Sequence, residues 1–160
     1  MSECLGRSRG GMSTKIHACT DALGNDVRLV ATAVRLVGNA VRLVGNAVRL
    51  VATAGQAGDC PQALVLLAGL DTQMVIADTS YDSDANRAYC AEKGIAVVIP
   101  NRPNRTEPVP MDEEYYRDRN KVERFFGRMK QYRRLATRYD KTVVSFLAFW
   151  HIAAALDWLR

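Results

Sequence analysis

Four side chains near the C-terminal end of the chain share one face of a predicted helix. Tyr116, Arg119, Glu123 and Lys130 are separated by 3, 4 and 7 positions. At about 100° per residue these intervals place all four within roughly 60° of one another, so a carboxylate is framed by cations. The alternative is a solvated face with an Arg119–Glu123 salt bridge, worth about 0.3–0.5 kcal/mol. That alternative explains the charges but not Tyr116.

A second candidate carboxylate is Asp78, which ends a short apolar run at residues 74–78. The run predicts a buried strand. A carboxylate at the C-terminal end of such a strand projects into the crevice where open α/β sheets place their sites. Alternatively, Asp78 caps the turn or helix that follows. Asp82 and Asp84 are interpreted as acids at a helix start, where the helix dipole favours them.

The elements that must position these residues follow from periodicity and from helix breakers. We predict a hairpin beginning with a strand at 13–20, strands at 74–78 and 95–99, and helices at 59–69, 82–93, 111–132 and 142–159. A Pro-rich loop covers 101–110. The helix at 111–132 also carries an apolar stripe that is expected to dock on the sheet: Val122, Phe125, Phe126 and Met129. This order predicts an α/β fold with a mixed sheet.

A seven-residue repeat fills residues 27–54. The units at 27–33 and 48–54 read VRLVATA, and the units at 34–40 and 41–47 read VRLVGNA. A coiled coil with Val at positions a and d is one interpretation, but Val, Gly, Asn and Thr are poor helix formers. Two strands joined by a tight turn at Gly-Asn suit these residues better than a coiled coil does. We interpret the repeat as an insertion, by tandem DNA duplication, into one domain spanning 1–160, with three units surplus to the fold.

The motifs together resemble bacterial insertion-sequence transposases of the DDE type. The spacing Tyr116-x2-Arg119-x3-Glu123-x6-Lys130 fits their Y-R-E-K signature at every interval. The run IADTSYD at 76–82 is similar to their second-aspartate motif, with Ser80 where Gly or Ala is usual. Residues 6–17 resemble the segment that opens their second strand.

The resemblance implies an RNase H-like fold with a mixed sheet and flanking helices. Its acids stand on strand one, at the end of strand four and on a later helix, so Asp78 maps to the second acid and Glu123 to the third. The first, central strand is expected before Gly6, where only five residues stand. We therefore expect an incomplete fold without the first catalytic aspartate. Asp21 is no substitute, because it lies at a predicted hairpin turn.

The resemblance also implies the chemistry. Three carboxylates hold two Mg²⁺ or Mn²⁺ ions, which activate water or a DNA 3′-hydroxyl and stabilise the leaving oxygen. Arg119 and Lys130 would hold DNA phosphate and Tyr116 would position the strand. The partners implied are transposon ends and target DNA, with a homo-oligomer when intact. Without the first acid, we expect this chain alone to hold the ions poorly and to lack metal-dependent cleavage.

Charge points to the same partner. The net charge is +5, and residues 117–141 contain ten Lys or Arg and three acids. Arg133 and Arg134 lie in this basic segment, for which we predict weak, salt-sensitive contact with DNA phosphates. Scattered cysteines with no C-x-x-C pair and two histidines argue against structural zinc. The longest apolar run, 143–156, is short for a membrane span, so a cytoplasmic, nucleoid-associated protein without a membrane partner is expected.

Three functions are to be weighed for a chain with these residues. The first is the catalytic part of a transposase, or its second reading frame, joined to an upstream half by ribosomal frameshifting. The second is an inactive relic with at most weak, non-specific DNA binding. The third, an unrelated nucleic-acid-binding module, requires an aromatic stacking platform or a recognition helix, and the sequence indicates neither.

Overall fold

The computed structural model describes residues 4–8, 11–21, 34–37 and 47–159. These form a mixed sheet with helices on both faces. The strands are β1 Gly6–Ser8, β2 Gly11–Asp21, β3 Val34–Val37, β4 Ala47–Ala54, β5 Met74–Ile76 and β6 Ala96–Val98. The helices are α1 Gln62–Leu67, α2 Asp84–Glu92, α3 Glu113–Tyr116, α4 Asn120–Met129, α5 Arg133–Ala136 and α6 Val143–Trp158, with 3₁₀ turns at Thr79–Tyr81 and Arg117–Arg119.

The described strands run in the order β1-β2-β3-β5-β6, and β4 pairs with β2. β2 is antiparallel to β1 and to β4, and parallel to β3. β3 is antiparallel to β5, which is parallel to β6. The mixed sheet predicted from the sequence is therefore confirmed. From Thr14 to Thr20, β2 pairs with β4, which comes mostly from the fourth repeat unit.

The central place of this sheet belongs to β3, from the second repeat unit. Its Val34 faces Cys19 of β2, and its Arg35 faces Ile76 of β5. The fourth unit supplies most of β4, so the units that the structure describes are strands, as the turn interpretation predicted and the coiled-coil interpretation did not. The first unit and the Gly-Asn dipeptides lie outside the described residues.

Two hydrophobic cores lie on opposite faces of the sheet, because successive residues of a strand point to opposite sides. Cys19 packs with Val75 and Leu66 under α1 and α2. Ala18, the preceding residue of β2, packs with Phe125 and other residues of α4 and α6. The predicted apolar stripe of the later helix is confirmed, since Val122, Phe125 and Met129 are buried and Phe126 packs against this core.

The helix predicted at 111–132 is instead three pieces. Asp112 caps α3 by accepting hydrogen bonds from the backbone N–H groups of Glu114 and Tyr115. A 3₁₀ turn at Arg117–Arg119 then joins α3 to α4, which ends at Met129. A 3₁₀ turn has about three residues per turn, so side chains three apart remain aligned through it. The interruption therefore keeps Tyr116 and Arg119 on one side.

The other helix boundaries differ from the predicted ones by one to three residues, and α1, predicted at 59–69, is Gln62–Leu67. α6 begins after Thr142, whose hydroxyl accepts the Ser145 N–H, within one residue of the prediction. α2 begins at Asp84 with Ser83 as its cap, not at Asp82. Gly94 follows the end of α2 and has a φ of 67°. This left-handed conformation favours glycine and is common just after a helix, so the predicted stop at Gly94 is confirmed. In the described part of the chain, no helix has the length and apolar character needed to cross a membrane.

Candidate active site

Asp78 follows β5 and opens the turn at Thr79–Tyr81. Its Oδ1 accepts a hydrogen bond from the Ser80 backbone N–H at 2.7 Å, so the capping role that the sequence left open is real. Its Oδ2 is turned to Arg119, and the carboxyl remains about one-third exposed. Burial raises the pKa of Asp78, but hydrogen bonds from Ser80 and the charge of Arg119 outweigh it and hold the pKa below its ordinary value.

Arg119 joins the two candidate carboxylates. Its Nη2 lies 3.2 Å from Asp78 Oδ2, and its Nη1 lies 2.6 Å from Glu123 Oε1. The salt bridge to Glu123 is the local contact expected if this helix face is merely solvated. The contact with Asp78, 41 residues away in the chain, is not local. One guanidinium therefore brings together the strand-end acid and the helix acid.

The packing of α4 explains why Glu123 lies on this side. Val122 and Phe125 are fully buried against the sheet, and Phe125 lies 6.5 Å from Trp150 of α6 between ring centroids. Glu123 occupies the adjoining side of the helix and is more than half exposed. The core thus orients the carboxylate without burying it.

Lys130 and Tyr116 stand at the two ends of this face. Lys130 is exposed just after α4, and with Glu123 it lines a cavity of about 630 Å³. The floor of that cavity includes Phe126 and Trp150. Tyr116 is half-buried at the end of α3. The structure thus brings together Arg119, Glu123 and Asp78 by ion pairs and Glu123 with Lys130 at one cavity.

Arg133 and Arg134 lie elsewhere. Both line a separate, apolar groove between α5 and α6. Arg134 pairs with Asp140 at 2.8 Å, and its guanidinium stands 4.2 Å from the centroid of Phe149. Arg133 is exposed. Arg134 is thus partly engaged within the protein, whereas Arg133 and Lys130 are exposed cations of the basic segment.

A clamp on Asp82 was not predicted. This carboxylate is fully buried, whereas the sequence suggested only an acid at a helix start. It accepts hydrogen bonds from Arg87 Nε at 2.8 Å, Arg105 Nη1 at 2.9 Å and the Arg102 backbone N–H at 2.8 Å. Arg102 also donates to the Ser80 carbonyl at 2.9 Å. The loop at 101–110 is thereby fastened to the turn that carries Asp78.

The donors present fit a hard divalent cation in kind. Carboxylate oxygens of Asp78 and Glu123 already converge on one cationic group, the Arg119 guanidinium. Among the described residues, no group of three or more acidic, His or Cys side chains could hold a metal ion. Asp21 does not join the pair, because it lies two residues from Cys19 on the face packed under α1 and α2.

An aspartate that follows a strand and a glutamate on a helix are thus joined through one guanidinium. The family described as Transposase DDE domain matches residues 75–160, which hold both carboxylates. The chain belongs to the DDE transposase family.

A Brucella ovis protein assigned as a transposase for insertion sequence element IS6501 is 38% identical over 152 residues, which cover 93% of this chain and 100% of the relative. No solved structure matches the chain. Transposases act on DNA, and the family generally uses divalent metal ions and implies an RNase H-like fold. By this resemblance the chain belongs to a family of DNA-cleaving enzymes of transposition.

Proposed function

We propose that this chain supplies the second and third catalytic carboxylates, Asp78 and Glu123, of an insertion-sequence transposase that cleaves and joins DNA strands. The observation that carries the proposal is the bridge through Arg119, which joins acids 45 positions apart in the sequence. Surface helices often contain i,i+4 salt bridges, but those do not require a third partner from a strand end.

The residues of this site have separable roles. Asp78 Oδ2 and the Glu123 carboxylate would hold Mg²⁺ or Mn²⁺, of which the intact family site takes two ions. Bound there, the ions would activate a water or DNA 3′-hydroxyl and stabilise the leaving oxygen. Lys130 would contact a DNA phosphate beside Glu123, and Tyr116 would position the strand at the other end of the face.

A third carboxylate has to come from outside the described residues. We propose that an upstream transposase half provides it, on a strand that completes the RNase H-like sheet, and that the assembled protein works as a homo-oligomer on transposon ends and target DNA. The repeat at 27–54 is then an insertion whose second unit, as β3, takes the place of that strand in the sheet.

The second candidate is an inactive relic that binds DNA weakly and without sequence preference. It is favoured by the fact that only two carboxylates converge among the described residues. Arg133 and Arg134 would serve this binding, and replacing both with Glu should abolish a salt-dependent mobility shift on mixed-sequence DNA. That loss supports contact through the basic segment in either reading.

Complementation separates the two candidates. The nucleotides upstream of the Met1 codon are searched for a frame that encodes a helix-turn-helix and a strand ending in Asp, and its product is mixed with this chain. With transposon-end DNA and Mg²⁺ we expect cleavage by the mixture, none by the chain alone, and none with Asp78→Asn or Glu123→Gln. Glu92→Gln, at an exposed acid of α2, is the matched control and should stay active.

Either of two results would overturn the enzyme proposal. Cleavage that survives both Asp78→Asn and Glu123→Gln would remove these acids from the chemistry. The absence of any such upstream frame, together with an inactive chain, would leave the relic.

A further inference from the structure

We propose that Arg119 is an exchangeable counter-ion: it occupies Asp78 and Glu123 until a divalent cation displaces it, and the released guanidinium then binds DNA phosphate. Metal binding and DNA binding would therefore reinforce each other through this one side chain. The inference rests on the proposed function, because it takes these two acids as the metal ligands.

The hydrogen bonds of Asp78 make the competition direct. Oδ1 is already bound to the Ser80 backbone N–H at 2.7 Å, and Oδ2 is bound to Arg119 at 3.2 Å. Direct ligation of Mg²⁺ requires a carboxylate oxygen at about 2.0–2.1 Å with a lone pair directed at the ion. The guanidinium of Arg119 lies between the two carboxylates, bound to Asp78 Oδ2 and to Glu123 Oε1. A cation shared by these two oxygens would therefore compete with the guanidinium for the same position.

In the position between the two acids, Arg119 also has one hydrogen-bond donor without an acceptor in the part of the chain that the structure describes. Its Nη1 and Nη2 have acceptors, but its Nε is buried and has no hydrogen-bond partner among the described residues. A buried N–H without an acceptor is unfavourable compared with one that water or a ligand satisfies. A phosphate can accept two parallel hydrogen bonds from a guanidinium, one of them from Nε. A hydrogen bond from Nε to a phosphate would therefore favour release of the guanidinium from the two acids.

The charges favour a concerted exchange. In the structure one positive group faces two carboxylates, so the cluster carries one net negative charge. A divalent cation neutralises both acids by itself. Arg119 is then a surplus cation about one side-chain length from the metal, where a DNA phosphate would stabilise it. A coupling of this kind is reciprocal, so DNA should raise metal affinity as much as metal raises DNA affinity.

A purely structural role for Arg119 predicts the opposite sign. If the guanidinium served only as a strut between the two acids, its removal would let the carboxylates repel each other and move apart. Metal affinity would then fall. The direction of the change in metal affinity therefore distinguishes a competitor from a strut.

The first measurement is Mn²⁺ binding to the purified chain, followed by the loss of the free-ion electron paramagnetic resonance signal. For Arg119→Gln we expect binding to strengthen by roughly 3- to 30-fold, since two partly exposed ion pairs no longer compete. Arg124→Gln removes one positive charge from the same helix, where Arg124 donates to Asn120 only through a surface contact, and should change the affinity less than twofold.

Arg119→Lys provides a second variant in case the first does not fold. It retains the charge but cannot reach both acids through a planar fork, so its affinity should lie between those of the wild type and Arg119→Gln. Unchanged or weaker Mn²⁺ binding in the folded Arg119 variants would overturn the exchange. Absence of Mn²⁺ binding in the wild type and all variants, measured both alone and in mixture with the upstream half, would overturn the metal role of Asp78 and Glu123 as well.

The second measurement is the affinity for a fluorescein-labelled DNA duplex, with and without Mn²⁺, by fluorescence anisotropy at fixed ionic strength. The wild type and Arg124→Gln should bind more tightly when Mn²⁺ is present. Arg119→Gln should lose this gain and keep its metal-free affinity, because Lys130 and the basic segment are untouched. An equal Mn²⁺-dependent gain in Arg119→Gln, or none in the wild type, would refute the coupling.

Discussion

Replacement of Asp82 by Asn should destabilise the protein more than any other change of a single acid near the site. The buried carboxylate accepts three hydrogen bonds, two of them from the guanidinium groups of Arg87 and Arg105. Asn preserves the shape but replaces one acceptor oxygen with an NH₂ group that points at donors. Loss of one partner from a buried ion pair costs about 3–5 kcal/mol. Because the two arginines are 13% and 14% exposed and can reach water, we expect about 2–4 kcal/mol.

The assay is chemical and thermal unfolding at pH 7 followed by circular dichroism. For a chain of this size each kcal/mol corresponds to about 2–4 °C in Tm, so Asp82→Asn should melt roughly 4–16 °C lower. Asp84→Asn is the control, because that side chain is 92% exposed and pairs with Arg105 at the surface. It should cost less than about 1 kcal/mol. A Tm for Asp82→Asn within 2 °C of the wild type would refute the reasoning.

The same variant has a predicted pH dependence. Burial raises the pKa of Asp82, but its hydrogen bonds and the arginine charges lower it further, so the folded-state pKa lies below the ordinary value. The stabilisation is therefore fully present above the unfolded-state pKa of about 3.9 and is lost as pH falls through the folded-state pKa. The difference in stability between the wild type and Asp82→Asn should be constant from pH 5 to 8 and should shrink below about pH 4.

Three further predictions concern the sheet. A cysteine at Val34 should form a disulfide with Cys19 on mild oxidation, since these residues are register partners in adjacent strands about 4.8 Å apart. Failure of the two to cross-link would contradict the register. Deletion of the first three repeat units should lower the urea midpoint, because β3 is lost with them; an unchanged midpoint would instead favour the view that they are surplus. Burial lowers the pKa of His17 to about 4, so its ring should show no NMR titration between pH 5 and 8, and stability should decline below about pH 6.5; a midpoint near 6.5 would exclude this.

The helix face of the site was predictable because its information is local. Intervals of 3, 4 and 7 positions keep Tyr116, Arg119, Glu123 and Lys130 aligned whether the backbone is α-helical or, over one turn, 3₁₀. The apolar stripe beside them fixed which side of α4 meets the sheet. The sequence could not show that Arg119 also reaches Asp78, since that contact depends on how α4 crosses the end of β5.

The contacts of Asp82 could not be predicted from local sequence patterns. Its partners lie 5, 20 and 23 positions away, and two of them are in a loop without periodicity. The preference of acids for a helix start therefore predicts Asp82 at the start of α2, which is wrong because Ser83 caps that helix.

The pairing of the repeat units could not be predicted for a different reason. The units share the same VRLV strand pattern, so periodicity cannot tell which copy pairs with β2 or in which direction.

The position of β3 bears on how a third carboxylate could enter the site. β3 lies between β2 and β5, and its Arg35 pairs with Ile76, two residues before Asp78. The place beside Asp78 in the sheet is therefore occupied by the chain itself. β3 is held by three register pairs on each side, compared with seven between β2 and β4, so its displacement should be comparatively easy.

If an upstream half supplies the third carboxylate as proposed, its strand would have to exchange with β3 before cleavage can begin. Locking β3 to β2 through the Val34→Cys disulfide with Cys19 should block complementation, and reduction of the disulfide should restore it. The Val41→Cys chain, treated in the same way, controls for the oxidation. If the locked protein is complemented as well as the reduced one, the third carboxylate reaches Asp78 and Glu123 by another edge of the sheet, and β3 is a permanent part of the fold.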